Sequence, residues 1–270
     1  MAMSKLAAWF VATEIRTLRN EAGLSQERAG ALMMRHRNTI AAWEAGTSLP
    51  ALDSIRGICH HLGATAERTE YLEAVIRQHR TTGLVDDLVD IHDIYCLAHA
   101  ERFYGEVSKW EPQFIPGVLQ TEEYHFSPLT RDYRVDENIL SRTWQVKSSR
   151  QKEYRDREPV PTTRVILGGD SIRFLDHIEN RRKQVDYLLE SAELPGWEIR
   201  VIQQPHPGMR GGFDVLKPAG FKHAGPAFSY VETLDTSLYI EEQHRVQAYD
   251  QAYKGMWDRA IPIKEYIDGT

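Results

Sequence analysis

Residues 25–46 read Ser25-Gln26-Glu27-Arg28-Ala29-Gly30-Ala31-Leu32-Met33-Met34-Arg35-His36-Arg37-Asn38-Thr39-Ile40-Ala41-Ala42-Trp43-Glu44-Ala45-Gly46, two short helical segments around a tight connection. Ser25 has the chemistry of an N-cap, because its hydroxyl accepts from the unpaired amides of a first helical turn. Gln26 then stands at the helix start, where a side-chain amide meets a DNA phosphate. Ala29 and Gly30 keep the crossing face thin, so that a second helix packs close. That second segment restarts at Arg35; Ile40 and Trp43, three residues apart, form its buried stripe and leave Arg37, Asn38 and Ala42 outward. Arginine offers two donors to guanine and asparagine matches adenine. The expectation is a DNA-reading unit with Arg37, Asn38, Thr39 and Ala42 toward the bases and Gln26, Arg19, Arg35 and His36 toward phosphates.

Working outward, Leu18-Arg19-Asn20-Glu21-Ala22-Gly23-Leu24-Ser25-Gln26, then Thr39-Ile40, Trp43-Glu44-Ala45-Gly46, Leu49-Pro50 and Leu62-Gly63 make a match that runs without a gap from residue 14 to 63. It resembles the Cro/CI (XRE) type of helix-turn-helix. The resemblance implies an all-α N-terminal domain of five helices whose third lies in the major groove. Two positions depart from the pattern. Met34 stands where that family usually has the turn glycine, and Arg35 where it usually has an apolar anchor, so the turn is expected to be strained or shifted by a residue.

The chain carries a net charge of −6, which divides unevenly: residues 1–80 hold ten Lys/Arg against eight Asp/Glu, a balance of +2, and the remainder holds 23 against 31, or −8. The acidic part is expected to avoid DNA. Arg19, Arg28, Arg35 and Arg37 still neutralise phosphates locally, because screening removes the influence of charges beyond about 10 Å at moderate salt.

A length of 270 residues with 41% hydrophobic content suggests two domains, each able to fill a core. The helix-turn-helix domain is expected over 1–78 with its core at 14–69, a linker over 79–83, and an effector, partner-binding and dimerisation domain over 84–270. The apolar stretch at 6–12 is followed at once by Glu14 and Arg16; it is too short for a membrane span and unlike a signal peptide, and is read as an extra turn of helix beside the first domain. A cytoplasmic, nucleoid-associated protein with no membrane contact is the expectation. Of the two cysteines, Cys59 falls in an apolar helical pattern with Ile55, Ile58 and Leu62, and reads as a buried thiol.

Beyond the linker, Leu84, Leu88, Ile91, Tyr95 and Ala98 recur in helical steps, predicting a helix to about residue 104. Further helices are expected over 136–157, 177–191 and 244–259, and strands over 164–167, 197–202, 211–216, 228–233 and 237–241. That composes an α+β domain with a mostly antiparallel sheet of about five strands and flanking helices.

Trp110-Glu111-Pro112-Gln113-Phe114-Ile115-Pro116-Gly117-Val118-Leu119-Gln120-Thr121-Glu122-Glu123-Tyr124, with Arg150-Gln151, Gly211-Gly212-Phe213-Asp214-Val215-Leu216 and Tyr230-Val231-Glu232, resembles the uncharacterised C-terminal domain of WhiJ-like, antitoxin-like actinobacterial regulators. In place of that group's alanine-rich helix end, this chain has His125-Phe126-Ser127-Pro128. The resemblance implies a transcription regulator, a homodimer on a double-stranded DNA operator, whose second domain takes a small BldB-type protein encoded nearby. Trp110, Phe114, Tyr124, Arg210 and Tyr230 are the candidate partner or ligand contacts, the aromatic ones competing with a role in the core.

Other chemistry is weaker. His92, Cys96 and His99 share a helical face at zinc-ligand spacing, but a fourth ligand is not evident, so no metal or other cofactor is expected. Residues 207–212 could cradle an anion or simply connect strands. Gly168-Gly169-Asp170-Ser171 lacks a nucleophile elbow, and no catalytic constellation is visible. The chain is therefore read as a regulator rather than an enzyme, with a small-molecule sensor as the alternative to protein control and a DNA-tethered enzyme behind both.

Overall fold

Ser4 caps the first helix, its Oγ accepting from the Ala7 amide at 3.1 Å. The computed structural model describes residues 4–78, 84–86, 95–130, 137–233 and 236–269. Five helices come first: α1 (Lys5–Glu21), α2 (Gln26–Leu32), α3 (Arg37–Glu44), α4 (Leu52–His61) and α5 (Ala66–Gln78). Cys59 is buried between Ile55, Ile58 and Leu62, and both cysteines are free thiols. The stretch at 6–12 is not an added turn beside this domain. It forms the first half of α1, and it packs against the second part of the chain: Trp9 meets His99, Phe103 and Tyr104 edge-on at 5.7, 6.1 and 5.2 Å, and its indole N–H donates to the His223 carbonyl at 2.8 Å.

The second part contains β1 (Leu84–Asp86), α6 (Tyr95–Glu101), β2 (Glu106–Glu111), α7 (Glu122–His125), α8 (Glu137–Arg155), β3 (Thr162–Gly168), α9 (Gly169–Arg173), α10 (Arg181–Ala192), β4 (Trp197–Ile202), β5 (Phe213–Lys217), β6 (Phe228–Glu232), β7 (Ser237–Ile240), α11 (Gln243–Trp257), β8 (Ile261–Pro262) and α12 (Ile263–Asp268). Among the described residues they build one sheet of eight strands in the order β1-β7-β6-β5-β2-β3-β4-β8, more than the expected five. Strands β2, β3 and β4 run parallel and the remaining pairings are antiparallel. Alternation along the strands divides the core. Val107, Val165, Leu167 and Ile199 face a cluster that runs on without a break into α1 of the first domain, whereas Trp110, Ile166, Ile202, Phe213 and Val215 pack under Val246, Tyr253 and Met256 of α11.

The helix expected from residue 84 is corrected. Leu84–Asp86 pairs antiparallel with β7, Leu84 opposite Tyr239; α6 begins at Tyr95, and residues 87–94 lie outside the described residues. Pairing on a sheet edge overrides the local helical pattern. The helix expected from 177 starts at Arg181, because Asn180 takes a left-handed conformation and its side chain caps the Lys183 amide. The expected linker at 79–83 falls outside the described residues.

Candidate nucleic-acid interface

α2 and α3 are set by their caps. Ser25 Oγ accepts from the Arg28 amide at 3.2 Å, as expected. His36 performs the same task for α3, its Nδ1 accepting from the Asn38 amide at 3.2 Å. The helices approach closely at Gly30, where an added Cβ would stand 2.7 Å from the Arg35 carbonyl oxygen. Ala29, Ile40 and Trp43 are buried with it. The connection is closed by the Arg35 amide donating to the Gly30 carbonyl at 2.8 Å. Of the two outcomes expected for the turn, the structure shows strain without a shift of register: Met34 itself adopts the left-handed conformation, φ 53°, with its side chain 89% exposed. Met33, not Arg35, supplies the apolar contact beneath the turn. Met34→Gly is expected to raise unfolding free energy by about 1 kcal/mol, since glycine lacks the Cβ clash that opposes positive φ. Urea denaturation of the full chain measures it.

Arg35, His36, Arg37 and Asn38 are exposed, and Thr39 and Ala42 are half-buried on the same helix. Arg28 is exposed in the first turn of α2. The structure thus exposes Arg35 and the His36 cap just ahead of α3 and Arg37 and Asn38 in its first turn.

Arg19 is corrected. Its guanidinium donates to Glu44 Oε1 at 2.5 Å and Oε2 at 3.0 Å and to the Leu24 carbonyl at 2.6 Å, and only 12% of the side chain is exposed. It ties α1 to the end of α3 instead of facing phosphate. Gln26 is partly drawn in as well, donating to Glu44 Oε2 at 2.8 Å. Glu44 itself is 3% exposed, and Arg16 also reaches it. This carboxylate escaped the sequence reading, although the Trp43-Glu44 pair within the matched motif was its signal. Arg19→Met is expected to lower stability by about 2 kcal/mol, less than a fully stranded buried charge because Arg16 and Gln26 remain on Glu44. Thermal denaturation of the DNA-free protein tests it; a variant that melts like wild type but binds DNA weakly would restore the phosphate role.

In the second part, Trp110, Tyr124 and Tyr230 are corrected as partner anchors: they are 2%, 0% and 4% exposed. Trp110 donates to the Gly208 carbonyl at 2.8 Å, the Tyr124 hydroxyl accepts from the Ile115 amide at 3.0 Å, and the Tyr230 and Ser237 hydroxyls are 2.9 Å apart. Phe114 and Arg210 remain exposed. The loop at 207–212 is held by Trp110, whose bond uses one of its carbonyls. Ser171 Oγ donates to the Gly168 carbonyl at 2.7 Å and is fully buried, which suits a turn and not a nucleophile.

A buried ionic chain crosses this part. Lys109 on β2 binds Asp214 on β5 and lies 3.1 Å from Glu101 of α6, which Arg150 of α8 grips at 2.6 and 2.8 Å. Burial raises the Asp214 carboxyl, whereas Arg150 and Lys109 hold Glu101 low against the cost of its burial. On the other side of α6, His99 lies 3.0 Å from Glu14 of α1 through Nδ1 and 2.8 Å from the Thr13 hydroxyl through Nε2. Both ring nitrogens of His99 are thereby engaged, and His92, its partner in the metal reading, lies outside the described residues. Among the described residues no group of three or more His, Cys, Asp or Glu could hold a metal ion.

The geometry of residues 25–46 is that of a helix-turn-helix DNA-binding domain, and residues 11–72 match the model of a helix-turn-helix domain. Residues 96–268 match a domain of unknown function, DUF5753, and the chain belongs to that family. No curated protein matches the chain. Among solved structures it is similar, at 13% identity and a TM-score of 0.34, to TrmBL2, an archaeal chromatin protein described as showing a novel mode of DNA binding; the likeness covers 78% of this chain and 66% of that one. Among the described residues no helix is long and apolar enough to cross a membrane.

Proposed function

We propose that this protein is a sequence-specific transcription regulator, a repressor of the antitoxin-like kind, acting as a homodimer in the cytoplasm at the nucleoid. The observation that carries the reading is the exposed run Arg35, His36, Arg37, Asn38 across the start of α3, a helix whose other face Ile40 and Trp43 fix in the core. Arg37, Asn38, Thr39 and Ala42 are assigned to bases, and Arg35, His36 and the outer edge of Gln26 to phosphates. A single recognition helix reads only about four or five base pairs, too few to select one site in a genome, so two copies are needed on half-sites about 10 base pairs or a multiple apart.

The region from 84 onward is assigned to control rather than to catalysis or to DNA. Its −8 charge opposes contact with phosphates. Its resemblance to the WhiJ-like actinobacterial domain supports a small BldB-type protein as the partner, with exposed Phe114 and Arg210 as candidate contacts. Footprinting of the full chain across a genome, with and without the neighbouring small gene, tests this. Occupancy of pseudo-palindromic sites that changes with the partner supports the reading. A sedimenting monomer that binds one half-site with full affinity overturns the dimer.

A further inference from the structure

A crevice of about 490 Å³ opens where the carboxyl ends of the three parallel strands meet, within the usual size range of small-molecule sites. Gln113 follows β2, Gly169 follows β3, and Gln203 and Gln204 follow β4, so each strand delivers its first loop residues to one place. In open sheets with parallel strands this is where ligands bind, because the strand ends splay and their loops converge. Gly168 allows the convergence: a Cβ there would lie 2.2 Å from the Pro112 carbonyl oxygen. Trp9 of α1 meets Tyr104, just ahead of the amino end of β2, the end of that strand away from the crevice.

The lining defines a ligand class. Trp110, Ile172 and Ile202 make an apolar floor, and the His206 ring stands edge-on to Trp110 at 4.8 Å, forming a wall. Burial and the nearby Arg259 hold His206 below the usual histidine range, so this wall is uncharged at neutral pH. Gln203 is oriented by donating to the Tyr266 hydroxyl at 3.2 Å, and Gln113 and Gln204 are exposed. At the rim, Arg173 pairs with Asp170 at 2.9 Å and Arg181 with Asp176 at 3.1 Å, leaving no net charge. Carboxamides present a donor beside an acceptor, the pattern that matches the edge of a nucleobase, and a flat ring suits an imidazole wall over an apolar floor.

We infer that this crevice is a binding site for a small neutral heterocycle, a nucleobase or nucleoside, recognised by Gln113, Gln203 and Gln204 against His206. The inference is independent of whether α3 reads DNA, since the ligand is measured directly on the DNA-free protein.

Isothermal titration of the full chain with adenosine, guanosine, cytidine and uridine, their 5′-monophosphates and glucose is the test. At least one nucleoside is expected to bind with Kd below about 1 mM. Gln204→Ala is expected to weaken it about fivefold, the effect of one lost neutral hydrogen bond. Gln113→Trp, which fills the crevice from an exposed position, is expected to abolish it while the melting temperature stays at the wild-type value. The monophosphate is expected to bind no tighter than its nucleoside, because the rim is neutral. Absence of binding by all four nucleosides, glucose binding as tightly as the best of them, a monophosphate that binds tighter, or affinity unmoved by Gln113→Trp would overturn the proposal.

Discussion

Arg37→Ala is expected to weaken binding to the preferred operator by about 1–3 kcal/mol per half-site while leaving binding to random duplex nearly unchanged. The asymmetry follows from position. Arg37 is the first residue of α3 and Asn38 the second, both exposed, with the His36 cap holding the Asn38 amide and so fixing the direction in which the helix starts. On the proposed assignment of Arg37 to a base edge, truncation removes a bidentate pair; a phosphate contact would weaken all sequences alike. The proposed homodimer would carry the loss twice, and the expected fall in operator affinity is then about 2–6 kcal/mol in total. Asn38→Ala is expected to behave similarly and to relax preference at a different base. Competition titrations of operator against random duplex at fixed salt measure both variants, and equal weakening of the two duplexes would reassign the residue to the backbone.

The helix-turn-helix was legible because its determinants are local. A cap, a close-approach glycine and a two-residue apolar stripe lie within 22 residues, and each does in the structure what its chemistry demands. What escaped there was long-range: Glu44 lies 25 residues from Arg19, and nothing in the spacing marks an arginine as facing inward. In the second part, β2 was missed for a related reason. Its residues facing the helical layer are Val107, Lys109 and Glu111, so the alternation that marks a half-buried strand is broken by charge. Lys109 is tolerated there because Glu101 and Asp214, brought in from other elements, pair with it, and Arg150 in turn holds Glu101. Glu111, by contrast, is pushed up to about 8 by burial and the nearby Asp214. The crevice was illegible for another reason again: it is made by the parallel arrangement of β2, β3 and β4, and it arises only once their order is known.

The continuous core also changes what the boundary at residue 78 means. Leu6, Phe10 and Val11 of α1 belong to the same cluster as Leu97, Ala100 and Tyr104, so a cut at 78 would expose them. The two parts share a core through the packing of α1 against α6.

Glu14→Ala is expected to be the most destabilising substitution in this region, lowering unfolding free energy by about 3–5 kcal/mol, because it strands buried or half-buried partners on two other helices. Glu14 is 5% exposed; it accepts from Arg68 of α5 at 2.7 Å and lies 3.0 Å from His99 of α6. Burial alone would raise its carboxyl, but the hydrogen bonds and charges of His99 and Arg68 outweigh it and hold the group at about 2, against an ordinary 4.5. A depressed folded value means that the ionised form is the one the fold prefers. The stabilisation is therefore fully present above pH 4.5 and is lost as the pH falls from there toward 2, an amount on the order of 3 kcal/mol. Glu14→Gln keeps the shape and removes the titration, so its stability at neutral pH drops while its acid limb is flatter than that of wild type by about that amount. Chemical denaturation of the full chain at a series of pH values between 2 and 7 reads the difference. An acid limb for Glu14→Gln parallel to that of wild type would show that other carboxylates carry the acid sensitivity.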